Sequence, residues 1–241
     1  MNNTPTSANR QIAQAAGTVM FAFVISNLAG LIRQILVANA FGTQAEMEAF
    51  NAANRVSETL FTLVAGGALS SAFIPTFTGL LAKEKQAKAW KLASAVTNLV
   101  LIVLIIGALV VSIFAPQVTR YVLAPGFSGD AAKEQLTIDL LRMMLPSAVI
   151  FGLSGLVMGI LNSHRRFLIP ALTPAMYQIG LIIGVLFFAP SMGIYGLAWG
   201  VILGSGLHLI LQLPSLSKLG GKYDLTFGFS IPEVREVIRL M

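Results

Sequence analysis

Six stretches of apolar residues run along the chain, at about 12 to 41, 49 to 81, 92 to 115, 136 to 162, 167 to 189 and 193 to 216. Each is close to or above the roughly 20 residues that cross a hydrocarbon core as a helix. Turn-forming residues separate them: Pro116, Pro125, Gly126 and Gly129 after the third, Pro190 and Gly193 after the fifth, and Pro214, Gly220 and Gly221 after the sixth. The pattern predicts an all-α integral membrane protein: a polar tail at 1–11, a six-transmembrane-helix lobe at 12–216, and a linker with the start of a seventh helix at 217–241. Ser230, Ile231, Pro232 and Glu233 read as that helix's start. Ile231, Val234, Val237, Ile238 and Met241 then recur at helical spacing, so the helix is expected to run on and the chain to be one part of a longer membrane protein. The first apolar run is too long for a cleaved signal peptide and is expected to stay in the mature protein.

Polar residues inside these runs are few and fall in stripes. Arg33 lies within the first run, and the nearest acidic residue is Glu46. An ionised side chain near mid-bilayer costs about 2.5 to 3.5 kcal/mol on insertion scales, so it normally faces a protein interior or a watery cavity. Ser26, Asn27, Gly30, Arg33 and Gln34 share one side of this helix. Asn51, Asn54, Arg55, Glu58 and Thr62 form a second stripe on the second run. Arg33 and Glu58 flank the first turn at similar depth, so a hairpin of the two runs is expected to enclose a hydrated, net-positive pocket of Arg33, Arg55 and Glu58. A simple Arg33–Glu58 pair cementing the hairpin is the plainer alternative. A spare arginine in such a pocket suits an anionic, phosphate-bearing ligand, because the planar guanidinium matches phosphate oxygens.

Composition strengthens the membrane reading: 56% of residues are hydrophobic and 11% charged, with a mean hydropathy of +0.79, whereas soluble domains carry about 25% charge. The net charge of +6 does not signal nucleic acid, because the charges sort by loop. Arg10, Lys83, Lys85, Lys88, Lys91, Arg165, Arg166, Lys218 and Lys222 fall at the N-terminus and after the second, fourth and sixth runs. Glu46, Glu48, Asp130 and Glu134 fall after the first and third. The positive-inside rule then places the N-terminus in the cytoplasm and predicts a multi-pass protein. The 83–91 cluster is also compatible with attraction to anionic lipids.

Several chemistries have little support. With no cysteine, disulfides and thiolate sites are absent. His164 and His208 lie on different segments without a carboxylate at ligand spacing and read as a loop and a helix-end histidine, so no metal or other cofactor is expected. No phosphate-cradling glycine loop ends in Lys-Ser or Lys-Thr, so this stretch carries no ATPase and reads as a non-enzyme. Gly152, Gly155 and Gly159 suggest close helix packing, as does Gly66-Gly67-Ala68-Leu69-Ser70-Ser71, which could equally hinge. Asp139 and Arg142 are expected to pair locally. Trp90, Trp199, Tyr121 and Tyr195 suit interfacial anchoring.

Several motifs, in order, resemble a known family. They are Ala38-Asn39-Ala40-Phe41-Gly42, Glu48-Ala49-Phe50, and Gly67-Ala68-Leu69-Ser70-Ser71-Ala72-Phe73-Ile74-Pro75. Leu123-Ala124-Pro125-Gly126-Phe127 and the stretch Gly159 to Ala171 follow. Together they are similar to the MurJ (MviN) lipid II flippases of the multidrug/oligosaccharidyl-lipid/polysaccharide exporter superfamily. The resemblance implies two six-helix lobes in pseudo-twofold relation, of which this chain would be the first. It implies alternating access that moves undecaprenyl-diphosphate-linked peptidoglycan precursor from the cytoplasmic to the external leaflet of the bacterial inner membrane, for cell-wall synthesis and cell shape. The implied partners are that lipid-linked precursor, membrane lipids, the C-terminal lobe and the cell-wall synthesis machinery. Arg33 matches a cavity arginine of the family. Asn27 and Phe61 stand where two others usually are, Glu48 replaces an aspartate and Gly66 a glutamate. The expected substrate-binding set is therefore Arg33, Arg55, Ser26, Asn27 and Gln34, with Glu58 and Glu48 as gating or ion-pair residues. An exporter of another lipid-linked glycan or of drugs, and a non-transporting scaffold of cell-wall assembly, remain alternatives.

Overall fold

The computed structural model describes residues 5–42, 44–62, 72–127, 129–228 and 231–240, and within them every regular element is helical. In chain order the helices are α1 Pro5–Phe41, α2 Ala45–Phe61, α3 Ile74–Ala82, α4 Gln86–Ile113, α5 Ala115–Val118 and α6 Ala131–Ser163. They continue with α7 Leu168–Ile183, α8 Ala189–Met192, α9 Ile194–Ile210, α10 Leu213–Ser217 and α11 Pro232–Leu240. Five helical stretches are long and apolar enough to cross a membrane: Ala16–Phe41, Gln86–Ile113, Ala131–Ser163, Leu168–Met192 and Ile194–Ser217. They coincide with five of the six expected runs. The remaining run, 49 to 81, is represented by α2 and α3. The Gly66 to Ser71 motif between them lies outside the described residues.

The long helix α6 is the centre of the lobe, packed against α2, α4 and α9. Its span window is 72% buried, against 11% for that of α1, which lies mainly against α7. Two apolar clusters form at opposite ends of α6. One gathers Phe41, Phe50, Leu141, Met144, Leu181 and Val201; the other gathers Phe73, Phe77, Leu92, Leu104, Leu156 and Ile160. Outward faces stay apolar, as lipid requires: Met20, Phe21 and Leu31 on α1, and Val103, Leu109 and Ile113 on α4, are all exposed.

Lipid tails are as apolar as leucine, so helices in a bilayer associate through close packing and polar contacts. The α7–α9 seam uses the first means. A Cβ added at Gly180 would lie 2.2 Å from Gly204 Cα, and one at Gly184 would lie 2.7 Å from Gly200 Cα, so the two backbones touch. Two of the α6 glycines pack as expected, with Leu104 filling the notch at Gly152 and Ile74 facing Gly159. Polar contacts supply the second means. Ser57 of α2 and Ser147 of α6 both reach the Met144 carbonyl, at 3.4 and 2.6 Å. Pro174 removes the amide that would serve the Pro170 carbonyl, and the Thr173 hydroxyl donates to that carbonyl instead, at 2.8 Å.

Three side-chain expectations need correction or extension. Asp139 and Arg142 do not pair: Arg142 Nε donates to the Ser112 carbonyl at 3.1 Å, and Asp139 accepts from Gln135 at 2.9 Å. The carbonyl of Ser112 lies in the last turn of α4 and has no intrahelical partner, which makes it a competing acceptor. His208 does lie in the last turn of α9, yet it is buried, with Nδ1 2.6 Å from Ser154 Oγ. Gln212 donates to that same Ser154 oxygen at 2.5 Å, so the serine ties α6 to both His208 and Gln212. His164 closes α6 and stacks on Trp90 with ring centroids 6.1 Å apart, which gives Trp90 a packing role.

The segment after α10 is also secured. Asn98 of α4 donates to the Thr226 carbonyl at 2.7 Å and accepts from the Tyr223 hydroxyl, while Ser94 accepts the Asp224 amide at 3.1 Å. The expected last helix is present as α11, and its Val234 and Val237 are fully buried against the α4 cluster.

Candidate functional site

Helices α1, α2 and α7 bring together a group of buried polar atoms. Arg33 is half-buried on α1, and its Nε is sealed from solvent without a hydrogen-bond partner among the described residues. The same holds for Gln178 Oε1, while the Tyr177 hydroxyl and the Asn54 side chain face one another at hydrogen-bonding range. The Tyr177 hydroxyl is also within electrostatic reach of Glu58 and Arg33. The Gln178 amide abuts Gly30, one helical turn before Arg33, at 3.6 Å from where a Cβ would stand. Buried donors and acceptors are normally paired, so Arg33 Nε and Gln178 Oε1 on neighbouring helices leave capacity for a further polar partner.

Local sequence explains how they meet. Gly30 lets α7 approach α1 at the level of Arg33. Gly204 seats Tyr177, because a Cβ there would fall 2.7 Å from the Tyr177 carbonyl and 2.9 Å from its ring. Asn54 and Glu58 are four residues apart on α2, and Asn54 Nδ2 donates to Glu58 Oε1 at 2.8 Å. That bond fixes the amide orientation, since the reverse would set an oxygen against a carboxylate. It leaves Oδ1 as an acceptor for the Tyr177 hydroxyl.

The expected pocket therefore forms only in part. Arg33 and Glu58 do come to one region, around Tyr177, without forming an ion pair among the described residues. Arg55 turns away. It lines a separate cavity of about 330 Å³ with Glu48, Asn51, Leu123 and Phe127. Asn54 and Arg55 stand at opposite edges of a face about 100° wide, so Arg55 reaches the space beside Asn51 and Glu48 while Asn54 and Glu58 reach Tyr177. Glu48 is exposed and forms an ion pair with Lys133, which also sits 4.0 Å over the Phe127 ring. Asp130 caps α6 by accepting the Lys133 amide at 3.0 Å, and Arg120 pairs with Glu134 at 2.9 Å, so this end of the lobe is tied by charge. Asn27 and Gln34 are exposed on α1. Ser26 is buried and donates its hydroxyl to the Ala22 carbonyl at 2.9 Å, which leaves it able only to accept. Among the described residues no three His, Asp or Glu side chains gather as a metal site.

Tyr177 and Gln178 were not singled out by sequence reasoning. The available signal was the pairing of Gly180 and Gly184 with Gly200 and Gly204, which presses α7 onto α9 and so orients its polar residues.

Comparison with known proteins gives this arrangement a family. The model of the family described as lipid II flippase MurJ matches residues 37–241. The chain belongs to the MurJ family. It is 32% identical over 201 residues to the lipid II flippase MurJ of Burkholderia cenocepacia, covering 81% of this chain and 38% of that protein. It is 30% identical over 247 residues to the probable lipid II flippase MurJ of Synechocystis, covering 97% of this chain and 45% of that one. A solved structure of a lipid II flippase MurJ in an inward closed conformation superposes with a TM-score of 0.76 at 26% identity, covering 92% of this chain and 46% of that one. The chain thus spans less than half the length of these MurJ relatives.

Proposed function

We propose that this chain is the first lobe of a flippase that carries undecaprenyl-diphosphate-linked peptidoglycan precursor across the bacterial inner membrane by alternating access. The observation that carries the proposal is the cluster of buried polar groups of Arg33, Asn54, Tyr177 and Gln178, in which Arg33 Nε and Gln178 Oε1 are left open, within a lobe whose outer faces are apolar. Arg33 supplies the permanent positive charge and planar donors for a diphosphate oxygen. Tyr177 and Gln178 orient the head group, and Asn54, held by Glu58, offers an acceptor to its sugar or peptide. Asn27 and Gln34 extend the polar track along α1, and Ser26 contributes a lone pair only.

In this reading residues 12–216 form the lobe and 217–241 lead toward a second lobe that completes the cavity. The N-terminus and the loops bearing Lys83, Lys85, Lys88, Lys91, Arg165, Arg166, Lys218 and Lys222 are cytoplasmic, in keeping with the positive-inside rule. Residues 49–81 supply the second span. The lobe performs no covalent chemistry and needs no cofactor. The separate placement of Arg55 favours one second reading, in which the cargo is a less highly charged lipid-linked glycan.

Complementation tests both. The full-length protein should restore growth to a bacterium depleted of its own flippase, Arg33→Ala should abolish rescue, and Arg33→Lys should restore it only partly, because lysine lacks the fork. Full rescue by Arg33→Ala at equal expression would remove Arg33 from the mechanism. No rescue by the well-expressed parent would favour the second cargo.

A further inference from the structure

At one membrane boundary, where α6 turns into α7, a second basic site lies far from Arg33. A cavity of about 350 Å³ is bounded by Thr18 of α1, the turn residues Arg165 and Arg166, the start of α7 at Phe167 and Leu168, and Ser215 of α10. Thr18 precedes Arg33 by fifteen residues, which is about 22 Å along a helix. No acidic residue lines this cavity, and neither arginine forms an ion pair among the described residues. Arg166 donates to the Ser215 carbonyl at 3.3 Å and to its hydroxyl at 3.4 Å, which fixes the turn to α10.

Arg165 is the informative residue. Its φ is 57°, a left-handed conformation that glycine adopts freely and a branched or long side chain does not. It occupies the position after α6 where the Arg165 amide bonds the Asn162 carbonyl and the Arg166 amide bonds the Leu161 carbonyl, both at 2.9 Å, a helix ending that strongly favours glycine. A strained arginine there sets its charge beside the cavity at the expense of an easier turn. Phe167 and Leu168 are 43% and 44% exposed, so an apolar surface adjoins the two cations. The N-cap of α7, Phe167, offers no side-chain acceptor, and the positive end of that helix opens on the same space.

We propose that this cavity binds the phosphodiester of an anionic bilayer phospholipid, with the acyl chains lying over Phe167 and Leu168. The shared chemistry is phosphate oxygen on two guanidinium groups. The adjacent apolar surface assigns it to a lipid rather than to free phosphate, as in other basic pockets between membrane helices.

The test is native mass spectrometry of the full chain released from bilayers of phosphatidylglycerol and phosphatidylcholine, with millimolar inorganic phosphate as a competitor. The parent should retain phosphatidylglycerol selectively and unaffected by phosphate. Arg165→Gly should lower that retention about fivefold, in line with one lost charge at a lipid surface. Its melting temperature should be equal or higher, since the backbone is relieved. Arg165→Lys, which keeps both the charge and the strain, should keep most of the retention. The proposal is overturned if the parent shows no preference between the lipids, if Arg165→Gly retains phosphatidylglycerol as the parent does, or if inorganic phosphate displaces the lipid.

Discussion

Replacing Gly180 by alanine tests whether backbone contact between α7 and α9 holds the candidate site in shape. The added Cβ would stand 2.2 Å from Gly204 Cα and 2.9 Å from the Gly200 carbonyl oxygen, and neither atom belongs to a side chain that could rotate away. Carbon atoms pack at about 3.5 to 4.0 Å, so the helices must separate by roughly 1.5 Å. A gap of about 0.5 to 1 Å already forfeits a quarter to a half of each dispersion contact across a seam. Overpacking costs about 1 to 3 kcal/mol, and a clash with backbone belongs at the top of that range. Alanine regains about 1 kcal/mol of helix propensity, so the net loss is about 2 kcal/mol. For a chain of this size that lowers the melting temperature by about 4 to 8 °C. Loss of helical circular dichroism on heating in detergent measures it. Gly107→Ala is the control, because no atom lies within 4 Å of its added Cβ, and it should melt at or slightly above the parent. Equal melting of the two variants would refute the claim that this seam is locked by backbone contact.

Three further outcomes follow from named contacts. Asn98→Ala removes the donor to Thr226 and the acceptor for Tyr223, so residues 221–228 should exchange amide hydrogen faster, with a cost of about 1 to 3 kcal/mol; unchanged exchange would mean the segment is held elsewhere. Thr173→Val keeps shape but strands the Pro170 carbonyl, and should lower stability by about 1 to 3 kcal/mol, read as a lower melting temperature; Thr173→Ser should recover most of it. Glu48→Lys should cost no more than about 1 kcal/mol at this exposed pair, and the double swap with Lys133→Glu should recover the loss; a larger effect in a double-mutant cycle would show a network rather than a pair.

Much of this architecture was legible in the chain. The run read at 136 to 162 is α6 at 131–163, and the final helix starts at Pro232 as its proline suggested. Apolar length and turn residues carry that information because a bilayer demands it. The site was less legible, for two physical reasons. Neighbouring runs were expected to form a hairpin, as sequential elements usually do, whereas α1 lies mainly against α7, drawn by Gly30 and the Gln178 surface. The polar stripe on α2 does form one face, its five residues lying within about 100° of arc, but the two edges of that face serve different spaces, Asn54 with Glu58 on one and Arg55 with Asn51 on the other. Arg33 stands out in the sequence as a charge inside an apolar run, and the structure places it half-buried near Tyr177. Tyr177 does not stand out, because a lone tyrosine in an apolar run carries no distinguishing signal until its helix is oriented.

The sparse burial of α1 has a mechanical meaning. Its outward face is apolar, with Phe21, Val24 and Ile32 exposed, and the face it would uncover by leaving α7 could be covered by lipid. No hydrophobic penalty opposes that motion, since lipid and protein interior are equally apolar. What resists is shape fit and the few polar groups near Arg33 and Gln178. The helix that bears Arg33 is thus the least buried of the five spans, while α6 is clasped on several sides.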